Sequence, residues 1–164
     1  MSTKVEENLA RLFARDMRSA ARNTAFMLKA EQEGNEALTL LFKAAADAKS
    51  VHARRFLNLL RGKISGSAKN LKEAVEGERY GVEELYPEMV QEVKKSSAAV
   101  KKGFIHSMKT DQELLDLYET AMDGHQEEGA VYYVCQICGH IHKDSIPKRC
   151  PVCRAVPGRF KRID

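Results

Sequence analysis

From Val5 to about Gly124, apolar residues return every three or four positions, the period of an amphipathic helix, and alternating strand-like runs are almost absent. Gly34-Asn35, Gly62 through Ser67, Lys94 through Ser97 and Gly124 interrupt the pattern. Four helices of roughly 20 to 30 residues with short connections predict a mainly α fold, an antiparallel four-helix bundle over residues 1–124. Pro87 lies inside the third segment and is expected to kink or split it. A polar linker follows at 125–131, and residues 132–164 form a second, smaller module. The predicted stripes run Leu9, Phe13, Asp16, Ala20, Asn23, Met27 in the first helix and Leu38, Phe42, Ala45, Lys49, His52, Phe56, Leu59 in the second. In the third and fourth they run Leu71, Val75, Glu78, Val82, Leu85, Met89 and Val100, Phe104, Met108, Asp111, Leu115, Tyr118, Met122.

Each stripe therefore carries an ionisable residue near its middle. Asp16, Lys49, His52, Glu78 and Asp111 are expected to meet at one level of the bundle core. A single polar residue beside a stripe usually leans out to solvent, and a lone histidine is more often a satisfied core residue than a ligand. Coincident interruptions on four helices point instead to a buried polar cluster. Because an unpaired buried charge costs several kcal/mol, such a cluster either binds metal or neutralises itself.

All four cysteines lie in the small module, as Cys135-x-x-Cys138 and Cys150-x-x-Cys153. Each pair lets one tight turn aim two thiolates at a common point, and two such turns make a tetrahedral sulfur cage for zinc or a single iron. Two disulfides are the alternative, but confinement of every cysteine to two matched pairs favours the metal. Tyr133, Gly139, Pro151 and Phe160, with eleven residues between Cys138 and Cys150, resemble a short-loop rubredoxin. That resemblance implies a small metal-binding β module with one iron cycling between ferric and ferrous. Arg154 stands where rubredoxins usually place glycine, so the turn there must hold arginine in an uncommon conformation. His106, His125, His140 and His142 read as surface or loop residues, with His140 and His142 flanking the cage.

The 164 residues suffice for one ordinary domain and a small one that needs its metal to fold. The sequence has no apolar run long enough to span a bilayer and no apolar signal-peptide core, so a cytoplasmic protein is expected, where thiolates stay reduced. The net charge of +4 is unevenly placed: residues 131–164 hold seven Lys and Arg against two Asp, whereas residues 1–130 hold 20 against 21 acidic residues. Part of that basic excess offsets the negative charge of a four-thiolate metal centre. With no recognition helix or stacking aromatics beside the basic residues, no nucleic-acid partner is expected.

Taken together, the helices and the cysteine module make the whole chain resemble rubrerythrin. Phe13-Ala14 with Ala21-Arg22-Asn23, Phe42 through His52-Ala53-Arg54-Arg55, Asn70-Leu71-Lys72 through Gly77-Glu78, and Leu85-Tyr86-Pro87-Glu88 match that family in order and separation. The resemblance implies a ferritin-like bundle, a di-iron peroxide reductase site fed electrons by the rubredoxin-like iron, and a homodimer. Residue by residue, the di-iron ligands are mostly replaced. Asp16 stands for a glutamate on the first helix, and Lys49-x-x-His52 for Glu-x-x-His on the second. Glu78 and Gly81 stand for two glutamates, and Asp111 and Leu114 for another Glu-x-x-His. Asn23 replaces one supporting tyrosine, and Tyr86 keeps the other. A di-iron centre needs several carboxylates to balance its cations, and Lys49 puts an ammonium where metal would sit. No di-iron centre is expected; Asp16, Lys49, His52, Glu78, Asp111 and Tyr86 would be its metal-free remnant. The expected function is one-electron transfer at a single-iron, four-cysteine centre formed by Cys135, Cys138, Cys150 and Cys153, with a redox partner protein. The alternatives are a peroxide reductase with an atypical bundle metal and a zinc-held structural or interaction protein.

Overall fold

The computed structural model describes residues 2–60, 62–125 and 128–163, so Gln126 and Glu127 of the expected linker lie outside the described residues. It divides into two compact units, Met1–Ser65 and Gly66–Asp164.

The first unit is a helical hairpin of α1 (Thr3–Gln32) and α2 (Glu36–Leu59). Gly34 ends α1 with φ +71°, a left-handed conformation that glycine adopts without a Cβ penalty. Asn35 N–H then reaches back to Ala30 O at 2.9 Å, closing the last carbonyls of the helix. Asn35 also caps α2, its side-chain oxygen accepting from Leu38 N–H at 3.1 Å. Between the helices Phe26 and Phe42 meet with their rings tilted by 60° at 5.4 Å between centroids, and Ala20, Ala30 and Ala53 are buried. Small residues there let the two backbones approach closely. The expected α1 stripe is the shielded face, Leu9, Phe13, Asp16, Ala20, Asn23 and Met27 all being buried or half-buried. On α2 the expected Phe42, Ala45, Lys49 and Phe56 are half-buried beside the buried Ala53, whereas the expected Leu38, His52 and Leu59 are exposed.

The second unit begins with α3 (Ser67–Tyr80), continues through a π-helical turn (Gly81–Leu85) into α4 (Tyr86–Glu92), and closes with a 3₁₀ turn (Val93–Lys95). Pro87 is the cause of the interruption. Its ring cannot donate a hydrogen bond and crowds the carbonyl four residues earlier, and the helix widens by one residue so that Tyr86 N–H bonds Gly81 O. Helix α5 (Ala98–Met122) starts at a Ser97 cap and packs along α3, burying Val75 and Leu115. Three strands follow, β1 (Tyr132–Cys135), β2 (Ile141–Lys143) and β3 (Phe160–Ile163), in the order β2-β1-β3, antiparallel throughout. Register pairs Tyr133 with His142 and Cys135 with Phe160. Among the described residues no helix is long and apolar enough to cross a membrane.

Candidate metal centre

Each cysteine pair lies in a turn, and the two turns repeat the same hydrogen bonds. In the first, Cys135 N–H donates to His140 O at 2.9 Å and Gly139 N–H to Cys135 O at 2.9 Å. In the second, Cys150 N–H donates to Ala155 O at 2.9 Å and Arg154 N–H to Cys150 O at 3.0 Å. The residue after the second cysteine of each pair is left-handed, Gly139 at φ +83° and Arg154 at φ +68°. The arginine does adopt the uncommon conformation that its position predicts.

The four Sγ atoms lie within 4.8 Å of one another, and Cys135 with Cys153 and Cys138 with Cys150 are each 3.6 Å apart. A tetrahedral ion with metal–sulfur bonds of about 2.3 Å has sulfur–sulfur edges of about 3.8 Å, so the cage fits one such ion. The sulfurs are not paired as disulfides. Backbone N–H groups aim at the sulfurs: Ile137 and Cys138 toward Cys135, His140 toward Cys138, Ala155 toward Cys153, and Cys153 toward Cys150 at 3.5 Å. These donors favour thiolates. Burial pushes all three of Cys135, Cys138 and Cys153 up; at Cys135 the amide donors overcome it and lower the thiol, whereas Cys138 and Cys153 stay raised by burial and by the neighbouring sulfurs. A cation in the cage would relieve that repulsion, which is what the donor set is built for. Cys135 and Cys150 are buried, and Cys138 and Cys153 reach the surface.

His140 departs from the surface position its sequence context suggests. It is 5% exposed; the turn folds its ring inward against Phe160 at 6.4 Å and His142 at 5.7 Å, and its Nδ1 pairs with the carboxylate of Glu113 on α5. Glu113 carries no sequence signal, because it lies off the apolar stripe and its partner comes from a different element. An apolar groove of about 480 Å³ adjoins this junction, lined by Leu71, Leu114, Tyr118, Tyr132, Val134 and Ile163.

The remaining ionisable residues from the stripes fall into two groups, one in each unit. In the first unit Asp16 is buried and Lys49 Nζ donates to its Oδ1 at 3.1 Å. Arg15 reaches the same oxygen at 2.8 Å, and His52 Nδ1 lies 3.8 Å from Oδ2. Desolvation works to raise the Asp16 carboxyl, but the Lys49 hydrogen bond and the charges of Lys49, Arg15 and His52 outweigh it, holding the pKa below the usual carboxylate range. In the second unit Tyr86 Oη donates to Asp111 Oδ2 at 2.6 Å. Burial, then the hydrogen bond and charge of Asp111, push the Tyr86 phenol up to about 12, and burial and Asp111 raise the Glu78 carboxyl. Taken singly, neither unit gathers three or more His, Cys, Asp or Glu donors at one point among its described residues other than the four cysteines.

A chain of long helices ending in a three-stranded module with a four-cysteine cage defines a ferritin-like helical protein carrying a rubredoxin-like metal centre. Residues 133–161 match the model of the rubrerythrin rubredoxin-like domain. A rubrerythrin of Porphyromonas gingivalis is 30% identical over 175 residues, covering 92% of this chain and 86% of its own, and the nigerythrin of Nitratidesulfovibrio vulgaris is 27% identical, covering 90% and 80%. Solved nigerythrin structures in the mixed-valence and fully reduced states share the fold, with TM-scores of 0.53 and 0.55 at 24% identity over 96% of this chain and 86% of theirs. The chain belongs to the rubrerythrin family. It is a redox protein of that family with a single four-cysteine metal site.

Proposed function

We propose that the four-cysteine centre holds one iron and transfers single electrons, and that the helices no longer hold a di-iron site. The observation that carries this reading is the Lys49 ammonium on Asp16 Oδ1, at 3.1 Å. Where the family resemblance expects glutamate ligands on the first two helices, this chain forms an internal ion pair, and Asp16 is already satisfied by Lys49 and Arg15. Leu114, at the position the resemblance assigns to a histidine ligand, lines an apolar groove instead.

When bound, iron in the cage supplies a reversible one-electron ferric/ferrous couple. The chain's contribution is to hold four thiolates in fixed positions with amide N–H donors, which limits rearrangement between charge states. Cys135 and Cys150 are shielded from water, while Cys138 and Cys153 leave an edge open to a partner. The bundle groups have a different part: Asp16 and Lys49 neutralise each other, and Tyr86 holds Asp111. The competing reading, a peroxide reductase with an atypical helical metal site, draws on the surviving Glu78 carboxyl and the Tyr86–Asp111 pair. A homodimer is inferred from the family resemblance.

Metal content per chain on anaerobically purified protein, with visible spectra before and after reduction, tests the reading. One iron per chain, coloured when oxidised and bleached when reduced, supports it. Two or three metals per chain would establish the peroxidase-type alternative, and one colourless zinc would leave a structural role. Lys49→Glu is expected to increase metal uptake by the helical part.

A further inference from the structure

His140 meets both cysteines of the first pair through its backbone. Its C=O accepts from Cys135 N–H at 2.9 Å, and its N–H aims at the Cys138 sulfur. Ala155 holds the matching place in the second turn: its C=O accepts from Cys150 N–H at 2.9 Å, and its N–H aims at the Cys153 sulfur. The backbone pattern is therefore the same twice, but the side chains differ. Alanine has no polar group, whereas the His140 imidazole is buried and pairs with Glu113 on α5.

A buried imidazole costs free energy unless its nitrogens are satisfied. A carboxylate can only accept, so Nδ1 carries the proton and donates to Glu113 Oε2. Nε2 is buried with no partner, so Glu113 is the ring's one hydrogen-bond anchor among the described residues. The helix behind Glu113 is itself held. Two residues before it Asp111 accepts from the Tyr86 hydroxyl at 2.6 Å, and two residues after it Leu115 is buried. A fixed helix thus grips the side chain of a residue whose peptide groups meet two cage cysteines.

We propose that Glu113 is a positioning residue for the metal centre: through His140 it locks the first cysteine turn, holds the amide N–H on the Cys138 sulfur, and so raises the reduction potential of the centre. The potential has meaning under the electron-transfer reading of the cage, on which this inference rests. With iron bound, a four-thiolate centre carries one negative charge when oxidised and two when reduced, so a donor held on a thiolate favours the reduced state. If the ring loses its anchor, the turn loosens, the donor drifts from the sulfur and the potential falls. The negative charge of Glu113 works the other way, because a nearby anion opposes reduction.

Two variants of the full-length protein separate the link from the charge. Glu113→Gln removes the charge but keeps an oxygen that accepts from Nδ1–H, and Glu113→Ala removes both. In cobalt-loaded protein a hydrogen bond to sulfur lowers the energy of its lone pair, so losing the bond moves the sulfur-to-cobalt absorption to longer wavelength. That shift is expected in Glu113→Ala and not in Glu113→Gln. In iron-loaded protein the ferrous-to-ferric ratio at one fixed potential is expected to be about three- to tenfold lower in Glu113→Ala than in Glu113→Gln, where tenfold corresponds to about 59 mV for one electron. Loss of cobalt from Glu113→Ala alone counts with these results. Equal spectra and equal potentials in the two variants would overturn the proposal, even with a lower unfolding stability in Glu113→Ala, since a merely structural contact predicts only the loss of stability. Loss of metal from both variants would overturn it too, because the charge and not the link would then be the requirement. The cobalt shift needs no electron transfer. Its appearance in a protein that holds zinc when purified keeps the positioning role and sinks the electron-transfer reading, and a reversible iron couple with identical potentials in the two variants does the reverse.

Discussion

Arg154 holds a left-handed backbone conformation at φ +68° in the same turn position that Gly139 fills at φ +83° in the other cysteine pair. A side chain there costs roughly 1–2 kcal/mol relative to glycine. Arg154→Gly is therefore expected to stabilise the metal-loaded protein by about 1 kcal/mol in denaturant unfolding, and an unchanged or lower stability would mean that the arginine makes compensating contacts. Asp16 yields a prediction in pH. Its carboxyl is held below the usual range, so its contribution to stability is present above about pH 3.9 and is lost as pH falls through the lowered value. Replacing Lys49 with methionine removes the main lowering partner while desolvation remains. Helical circular dichroism during acid titration is expected to collapse at higher pH in Lys49→Met than in the parent chain; coincident curves would show that Lys49 does not govern Asp16. The arginine's conformation was legible from the rubredoxin resemblance, which places a glycine at that turn position. The inward turn of His140 was not, because its Glu113 partner lies on α5, 27 positions away in the chain.

Among the elements, the π-helical turn at Gly81–Leu85 is the clearest case of one residue reshaping a helix. The wider turn takes up the lost hydrogen bond just before Tyr86, whose hydroxyl ties α4 to α5 through Asp111 at 2.6 Å. Tyr86→Phe is expected to cost about 1–2 kcal/mol, because a partly buried carboxylate loses its donor. The phenol, pushed up to about 12, also sets an alkaline limit: its contribution is intact below about pH 10 and is lost as pH rises through about 12. Ultraviolet titration should show one tyrosine ionising well after the others, and that late component should vanish in Tyr86→Phe. Helix limits were readable in advance from Gly34, Ser97 and Gly124, since capping is a local matter. The full burial of Ala53 on α2 was not, because it depends on how closely the two backbones approach.

For the molecule as a whole, the cysteine module and the helices are held by different forces. The module buries Cys135, Cys150 and His140, and its three strands are each three or four residues long. Such a core cannot offset the backbone entropy of ordering about thirty residues without the metal. Removing the metal with a chelator is expected to erase strand signals and expose all four thiols to a thiol reagent, while most helical circular dichroism survives. Loss of the helices on the same titration would mean that the Glu113–His140 junction couples the module to α5 more strongly than its size suggests.

Periodicity, capping residues and paired Cys-x-x-Cys spacing are short-range properties, so residue order alone was enough to reveal the helical segments, the four-sulfur cage and the family. The same patterns marked Asp16, Lys49, His52, Glu78 and Asp111 as chemically out of place on apolar stripes. How these groups are satisfied emerges only in the folded chain: Lys49 and Arg15 serve Asp16, with His52 nearby, and Tyr86 serves Asp111. The same holds for His140, buried against an acid from another element. Partner choice of this kind depends on distances between residues far apart in the chain, which no local pattern carries.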